Sequence, residues 1–225
     1  MKPAVSTFVF DAYGTLFDVH SAIARHQAAA GADAERFSEI WRTKQLEYSW
    51  TLTLAGQYAD FWSLTERALD YAFARFAAVD RSLRPALLDA YRRLDAFGDA
   101  RRAVTELKNA GRRVAILSNG SPAMLNAAVQ AAGMADVFDA VLSVDTVRAF
   151  KPRREAYALV TDRFQIQPDD AAFISSNRWD VMGAAAFGFR AVWINRTGVP
   201  DEYKDWPPLR VLRSLAELPA LVEAI

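Results

Sequence analysis

Asp11, Ser118, Asn119, Lys151, Ser175, Asn177 and Asp180 are side chains of the kinds that can share one reaction. Asp11 follows the apolar run Phe8-Val9-Phe10, and Ser118-Asn119 follow Val114 to Leu117. Ser175, Ser176 and Asn177 follow Ala172-Phe173-Ile174, with Asp180 a little further on. Lys151 stands alone in a loop, with Pro152 behind it. An ionised carboxylate is a covalent nucleophile when a partner activates it, and a nearby ammonium favours its charged form. Hydroxyls and amides aim it, and a second carboxylate can take a proton from water. Any one of these residues alone reads as loop chemistry, Asp11 as a turn aspartate and Asp180 as a first-turn helix residue. Together they need a frame that brings them to one place.

A parallel sheet supplies that frame, because its strands present their carboxyl ends at one edge, where open α/β sheets bind ligands. Val5 to Phe10 reads as a strand buried on both faces, and Gly14 allows a sharp turn after Asp11. From Asp99 the chain alternates: helix to Ala110, strand Arg113 to Leu117, helix Pro122 to Ala132, strand Ala140 to Ser143, helix Arg154 to Phe164. Strand Ala171 to Ile174, helix Asp180 to Phe187 and strand Arg190 to Ile194 follow, then a polar connection Thr197 to Pro208 and a closing helix Leu215 to Ala224. That alternation predicts a doubly wound α/β fold. Between Phe17 and Phe97 the pattern is helical only: Val19 to Ala30, Ala34 to Trp50, Tyr58 to Phe76 and Arg84 to Leu94. This block reads as an inserted cap, giving a Rossmann-like core of residues 1–17 plus 98–225 and a helical cap of residues 18–97. Trp41, Trp50, Phe61 and Trp62 fall at helical spacing and read as cap packing.

The 225 residues have no net formal charge, 52% hydrophobic and 24% charged side chains, and no cysteine. Zero net charge gives no electrostatic reason to expect nucleic acid or an anionic membrane as a partner. Without cysteine there is no disulfide, thiolate zinc site or cysteine nucleophile. His20 and His26, the only histidines, both fall on the first predicted helix, which disfavours a Ser-His-Asp triad. The early strand disfavours a signal peptide, no apolar run nears the roughly 18 residues of a membrane span, and the expected compartment is the cytoplasm. Asn119-Gly120-Ser121 and Asn195-Arg196-Thr197 match glycosylation sequons, which mean nothing there.

The segments D-A-Y-G-T-L-F-D from Asp11, S-N-G-S-P from Ser118, K-P at Lys151 with Tyr157, and S-S-N-R-W-D from Ser175 resemble the four motifs of the haloacid dehalogenase superfamily. More narrowly they resemble its L-2-haloacid dehalogenases. The resemblance covers nearly the whole chain and implies a Rossmann-like core, a helical cap and a homodimer. Most of the superfamily are phosphatases, so fold alone does not name the reaction. Phosphatases of the superfamily carry a second aspartate where this chain has Tyr13, and a magnesium-binding acidic residue where it has Ser176. A hard divalent cation prefers carboxylate oxygens, so the expectation is no metal, no cofactor and a monoanionic substrate.

The implied reaction takes a short halogenated carboxylic acid, an L-2-haloacid, to a D-2-hydroxyacid and halide through an ester on Asp11. The resemblance gives Thr15 the role of aiming Asp11, where bonding the turn backbone is the plainer reading. It gives Ser118 the substrate carboxylate, where capping the Pro122 helix is the alternative. Lys151 holds Asp11 ionised; Tyr157, Ser175 and Asn177 orient Lys151, water and Asp180; Asp180 is the base. Arg42, Asn119 and Trp179 form the halide cradle, and Tyr13, Leu46, Phe61 and Trp179 the apolar wall. Arg42 on an amphipathic helix otherwise reads as a solvated residue, and Phe61 as cap core. Arg178 and Met182 are less familiar within the fourth motif. Two rival readings stand: a magnesium-dependent phosphatase of the same superfamily, and a catalytically silent anion-binding protein.

Overall fold

Strand β1 (Thr7–Phe10) is built of residues buried on both faces, as a central parallel strand requires. The computed structural model describes residues 5–222 and 225. Helices α1 (Ser21–Ala24), α2 (Gln27–Ala30), α3 (Ala34–Leu54), α4 (Phe61–Arg75) and α5 (Arg84–Arg92) follow β1. Then come α6 (Ala100–Asn109), β2 (Arg113–Ser118), α7 (Pro122–Ala131), β3 (Ala140–Ser143) and α8 (Arg154–Phe164). Strand β4 (Ala171–Ser175), α9 (Arg178–Phe187), β5 (Arg190–Ile194) and β6 (Arg210–Leu212) complete the order. The sheet runs β3-β2-β1-β4-β5-β6, parallel throughout. It is the doubly wound α/β sheet expected from the alternation.

Register explains why the chemistry gathers. Phe10 pairs with Ile116 of β2 and Ile174 of β4, so Asp11 stands level with Leu117 and Ser175. Just beyond, Gly14 adopts φ of +92°, which suits glycine, and its N–H donates to the Phe17 carbonyl at 2.8 Å to close the turn. The chain leaves and re-enters the sheet layer along two adjacent crossings. Asp18 N–H donates to the Asp95 carbonyl (2.8 Å), and Phe97 N–H to that of Leu16 (2.9 Å).

Several elements differ from expectation. The helix expected over Val19 to Ala30 is two four-residue helices with His26 between them; beyond Ile23 only Ala30 is buried, so nothing large holds a continuous helix down. His20 and His26 precede these helices instead of lying within them, and His20 Nδ1 meets the Ser38 hydroxyl at 2.8 Å. Helix α3 runs a turn further than Trp50, while α4 starts at Phe61, capped by Asp60, whose carboxylate accepts from Ser63 N–H at 3.1 Å. Helix α9 begins at Arg178, which puts Trp179 and Asp180 in its first turn. Strand β6 lies where the sequence pattern predicts no strand. The closing helix is instead two single 3-10 turns, Leu215–Glu217 and Pro219–Leu221, since Pro219 cannot continue an α-helix from within; Ala224 lies outside the described residues. Among the described residues no helix is long and apolar enough to cross a membrane.

Candidate active site

Asp11 is 4% exposed and accepts hydrogen bonds on both carboxylate oxygens. Its Oδ2 accepts from the Thr15 hydroxyl (2.9 Å), Asn177 Nδ2 (2.8 Å) and the Ser175 hydroxyl (3.3 Å). Oδ1 accepts from Lys151 Nζ at 2.8 Å. The two oxygens are thus unlike: one sits among three donors, the other faces a single ammonium. Thr15 does more than bond the turn, since its oxygen also accepts from Ser176 N–H (2.8 Å) and so ties the turn to the end of β4. Asn177 Nδ2 also donates to the Tyr13 carbonyl at 3.1 Å.

Lys151 is buried and its three N–H bonds are all spent: on Asp11, on Asp180 Oδ2 (2.6 Å) and on the Leu117 carbonyl (3.2 Å). Burial disfavours its charge, but the Asp11 and Asp180 carboxylates outweigh that and raise its pKa above the ordinary lysine value. Asp180 is fully buried, and Tyr157 donates its hydroxyl to Oδ1 at 2.7 Å. Burial pushes the Asp180 carboxyl up to about 6; Lys151 pulls it down and Asp11 pushes it up again. Asp180 therefore lies behind Lys151, separated from Asp11 by two hydrogen-bond lengths through Nζ. Tyr157 is itself wedged between Phe173, Phe187 and Phe189.

Arg42 comes from α3. Its guanidinium donates to Gln45 Oε1 (2.7 Å) and the Tyr13 carbonyl (3.2 Å), which puts it over the turn after Asp11. A guanidinium has five donors, more than these two bonds use. Asn119 Oδ1 accepts from the Lys151 backbone N–H at 3.0 Å, which ties the loop after β2 to Lys151. The Ser118 hydroxyl accepts from Gly120 N–H at 3.1 Å; the helix cap is Ser121, whose hydroxyl accepts from Met124 N–H at 3.4 Å, so the capping alternative for Ser118 fails. Tyr13, buried, stacks on Tyr91 and tilts against Phe61, which in turn meets Phe150. Leu46 lies one turn beyond Arg42, half-buried on the same side of α3. Trp179 meets Trp50 edge-on at 5.3 Å.

These contacts unite Asp11, Thr15, Lys151, Ser175, Asn177, Asp180 and Tyr157 in one hydrogen-bonded cluster; Asn119 joins through the Lys151 backbone and Arg42 through Tyr13. No contact ties Leu46 or Trp179 directly to Asp11. Arg178 serves elsewhere: buried, it donates to Asp201 (2.7 Å) and to the Tyr203 and Trp206 carbonyls, pinning the connection after β5.

A haloacid dehalogenase-like hydrolase family model matches residues 5–188. The chain is 47% identical over 215 residues to (S)-2-haloacid dehalogenase 1 of Pseudomonas sp. (strain CBS-3), covering 95% of each. The chain belongs to the haloacid dehalogenase-like hydrolases, among the (S)-2-haloacid dehalogenases. It is likewise 47% identical over 219 residues to (S)-2-haloacid dehalogenase 4A of Burkholderia cepacia, covering 97% of this chain and 95% of that one. A crystal structure of a dehalogenase with an intermediate complex superposes with a TM-score of 0.97 at 46% identity, covering 99% of both chains. The L-2-haloacid dehalogenase from Xanthobacter autotrophicus, with chloropropionic acid covalently bound, superposes with a TM-score of 0.87 at 40% identity, covering 98% of this chain and 99% of that one.

Three residues that serve this haloacid dehalogenase-like site escaped the sequence reading. Gln45, fully buried, braces Arg42 and in turn bonds the Thr65 hydroxyl (2.6 Å) and Tyr91 (3.0 Å). Ser143 donates to the Gly120 carbonyl at 2.7 Å and so fixes the loop that carries Asn119. Gly183 leaves room in α9 for Tyr157: a Cβ there would strike the Tyr157 hydroxyl and stand 2.6 Å from Pro152 Cβ. A lone glycine inside a helical pattern was the available signal for it.

Proposed function

We propose that the protein hydrolyses short-chain L-2-haloacids to D-2-hydroxyacids and halide through a covalent ester on Asp11, without a metal or other cofactor. The observation that carries this reading is the asymmetry of the Asp11 carboxylate. Oδ1, which has no donor but Lys151, attacks the halogen-bearing carbon from behind, leaving the three-donor Oδ2 for the ester carbonyl. The carbon–halogen bond breaks as the Oδ1–carbon bond forms, which inverts that carbon, and halide leaves toward Arg42 and Asn119. Oδ2 is then the ester carbonyl oxygen. When water attacks Cγ, the negative charge develops on Oδ2, where Thr15, Ser175 and Asn177 already point; such preset donors are worth about 10²–10³ in rate each. Asp180 takes the proton from that water. The Cγ–Oδ1 bond then breaks, Oδ1 leaves as the product hydroxyl after regaining a proton, and one proton is released in all. The Lys151 ammonium, touching both carboxylates, holds the departing oxygen's charge.

Metal independence is supported by the donor chemistry. Both carboxylates of the cluster are bonded to Lys151, and Ser176 offers only a hydroxyl where a hard divalent cation prefers a carboxylate. The paired crossings at Leu16–Asp18 and Asp95–Phe97 support the division into a core of residues 1–17 plus 98–225 and a cap of residues 18–97. The family resemblance supports a homodimer, which sedimentation tests directly, and the proposed compartment is the cytoplasm, which cell fractionation tests. The activity is tested by chloride release in EDTA from L- and D-2-chloropropionate, with p-nitrophenyl phosphate plus magnesium alongside. Turnover of the L-acid alone is expected; magnesium-dependent phosphate release without chloride release would make the protein a phosphatase.

A further inference from the structure

Arg196, in the loop after β5, touches both places where the chain crosses between the sheet layer and the helical block. Its guanidinium donates to the Thr15 carbonyl at 3.3 Å and, through two nitrogens, to both oxygens of Asp99 at 2.7 and 3.0 Å. It also lies over the Phe97 ring, 4.2 Å from its centre. The chemistry above gives this cation no role. Yet its first partner, Thr15, carries the nucleophile: the Thr15 hydroxyl donates to Asp11 Oδ2 at 2.9 Å and accepts from Ser176 N–H at 2.8 Å.

Arg196 is itself held from two sides. Asp99 Oδ2 also accepts from the Ser214 hydroxyl (2.7 Å) and the Leu215 N–H (2.8 Å), so the closing segment fixes the carboxylate that fixes the guanidinium. Asn195 closes the loop just before it: its Nδ2 donates to the Val199 carbonyl (2.9 Å) and its Oδ1 accepts from Val199 N–H (3.0 Å). The Asn195 backbone N–H donates to the Leu212 carbonyl at the end of β6 (2.8 Å). Strand β6 and the closing turns thus press a planar fork against the back of Thr15. Such a fork fixes direction as well as distance.

We propose that Arg196, backed by Asp99, is a positioning residue that keeps the Thr15 hydroxyl on Asp11 Oδ2 for hydrolysis of the ester. The proposal rests on the dehalogenase reading and concerns one step within it. Oδ2 shares the carboxylate charge before attack, loses it as Oδ1 forms the ester, and regains it when water adds to Cγ. A donor on Oδ2 therefore gives no help to the first transition state, which is giving up that charge, and stabilises the second. With Thr15 displaced, halide departs as fast as before while the ester breaks down more slowly. A brace needed only for the fold would slow both steps alike.

The test follows quenched single turnovers of L-2-chloropropionate by excess enzyme in the parent protein, Arg196→Met and Asp99→Asn. Chloride reports formation of the ester and lactate reports its hydrolysis. In Arg196→Met the lactate step is expected to slow about threefold or more, a part of the about 10²–10³ that a whole donor is worth, with the chloride step within about twofold of the parent. Intact-mass spectra should show esterified protein persisting longer than in the parent. Asp99→Asn removes the charge that holds the fork and should shift the two steps in the same sense; it decides by the same criteria if Arg196→Met does not fold. A chloride step slowed as much as the lactate step overturns the proposal, as does a lactate step slowed less than about threefold. A parent that releases no chloride overturns the dehalogenase reading itself, and this proposal with it.

Discussion

Replacing Lys151 by Met removes the only ammonium from between two carboxylates that are 4% and 0% exposed. The side chain's volume is nearly kept, so the effect is electrostatic. Breaking a buried ion pair from one side costs about 3–5 kcal/mol, and the cost should depend on pH in a calculable way. In the parent, Asp180 is raised to about 6 from an ordinary value of 3.8. A carboxylate raised by folding makes the fold lose stability as pH climbs from the unfolded toward the folded value, about 1.4 kcal/mol per unit. Lys151 is raised above 10.5 and adds nothing variable below that. From pH 5 to 8 the parent therefore loses only about 1.4 kcal/mol through Asp180. Without the ammonium that pulls it down, the buried Asp180 carboxyl keeps its proton to higher pH, and each further pH unit of that interval costs about 1.4 kcal/mol. Denaturant unfolding followed by tryptophan fluorescence should show Lys151→Met destabilised relative to the parent by more at pH 8 than at pH 5, by about 1.4 kcal/mol for each such unit. Chloride release should fall by about 10²–10³ or more. An equal stability difference at both pH values would refute the view that Lys151 neutralises the buried pair.

Gly183→Ala forces a methyl group against the Tyr157 hydroxyl and Pro152; a loss of about 1–3 kcal/mol is expected, with turnover reduced because Tyr157 moves off Asp180. Tyr157→Phe takes away a hydrogen bond to an ionised group, about 1.5–3 kcal/mol, which raises the Asp180 pKa. Ester hydrolysis needs Asp180 ionised, so the parent's kcat should fall as pH drops through about 6, or slightly lower because the ester removes the Asp11 charge. In Tyr157→Phe that limb should move to higher pH, and an unmoved limb would remove Asp180 from the base role. Arg42→Gln should lower chloride release about 10²–10³-fold, most for the poorer leaving groups; equal effects on chloro and bromo acids would put Arg42 outside the halide step.

Much of this architecture was legible because strands and helices of ordinary length alternate, and the strand ends announce where polar residues collect. The Thr15, Lys151, Asn177 and Asp180 positions follow from motif spacing and register together. What escaped notice did so for physical reasons. Strand β6 has three residues, with only Leu212 buried, just after the polar connection, so no periodicity could mark it. The closing segment has helical composition, but Pro219 and short apolar contacts leave it as single turns. Gln45 and Ser143 act through buried hydrogen bonds across the chain, between residues 45 and 91 and between 143 and 120, a pairing that local sequence does not encode. Asp180 as base gains from its raised pKa, while its place behind Lys151, which makes its contact with Asp11 indirect, was visible only in three dimensions.

A single turnover with enzyme in excess, run in ¹⁸O-enriched water and EDTA on L-2-chloropropionate, bears most directly on catalysis by the Asp11 carboxylate. The account predicts that the peptide carrying Asp11 gains the heavy oxygen while the lactate formed keeps only light oxygen at its hydroxyl. Heavy oxygen in the lactate hydroxyl with Asp11 unlabelled would mean that water attacks the substrate carbon itself, and would contradict it.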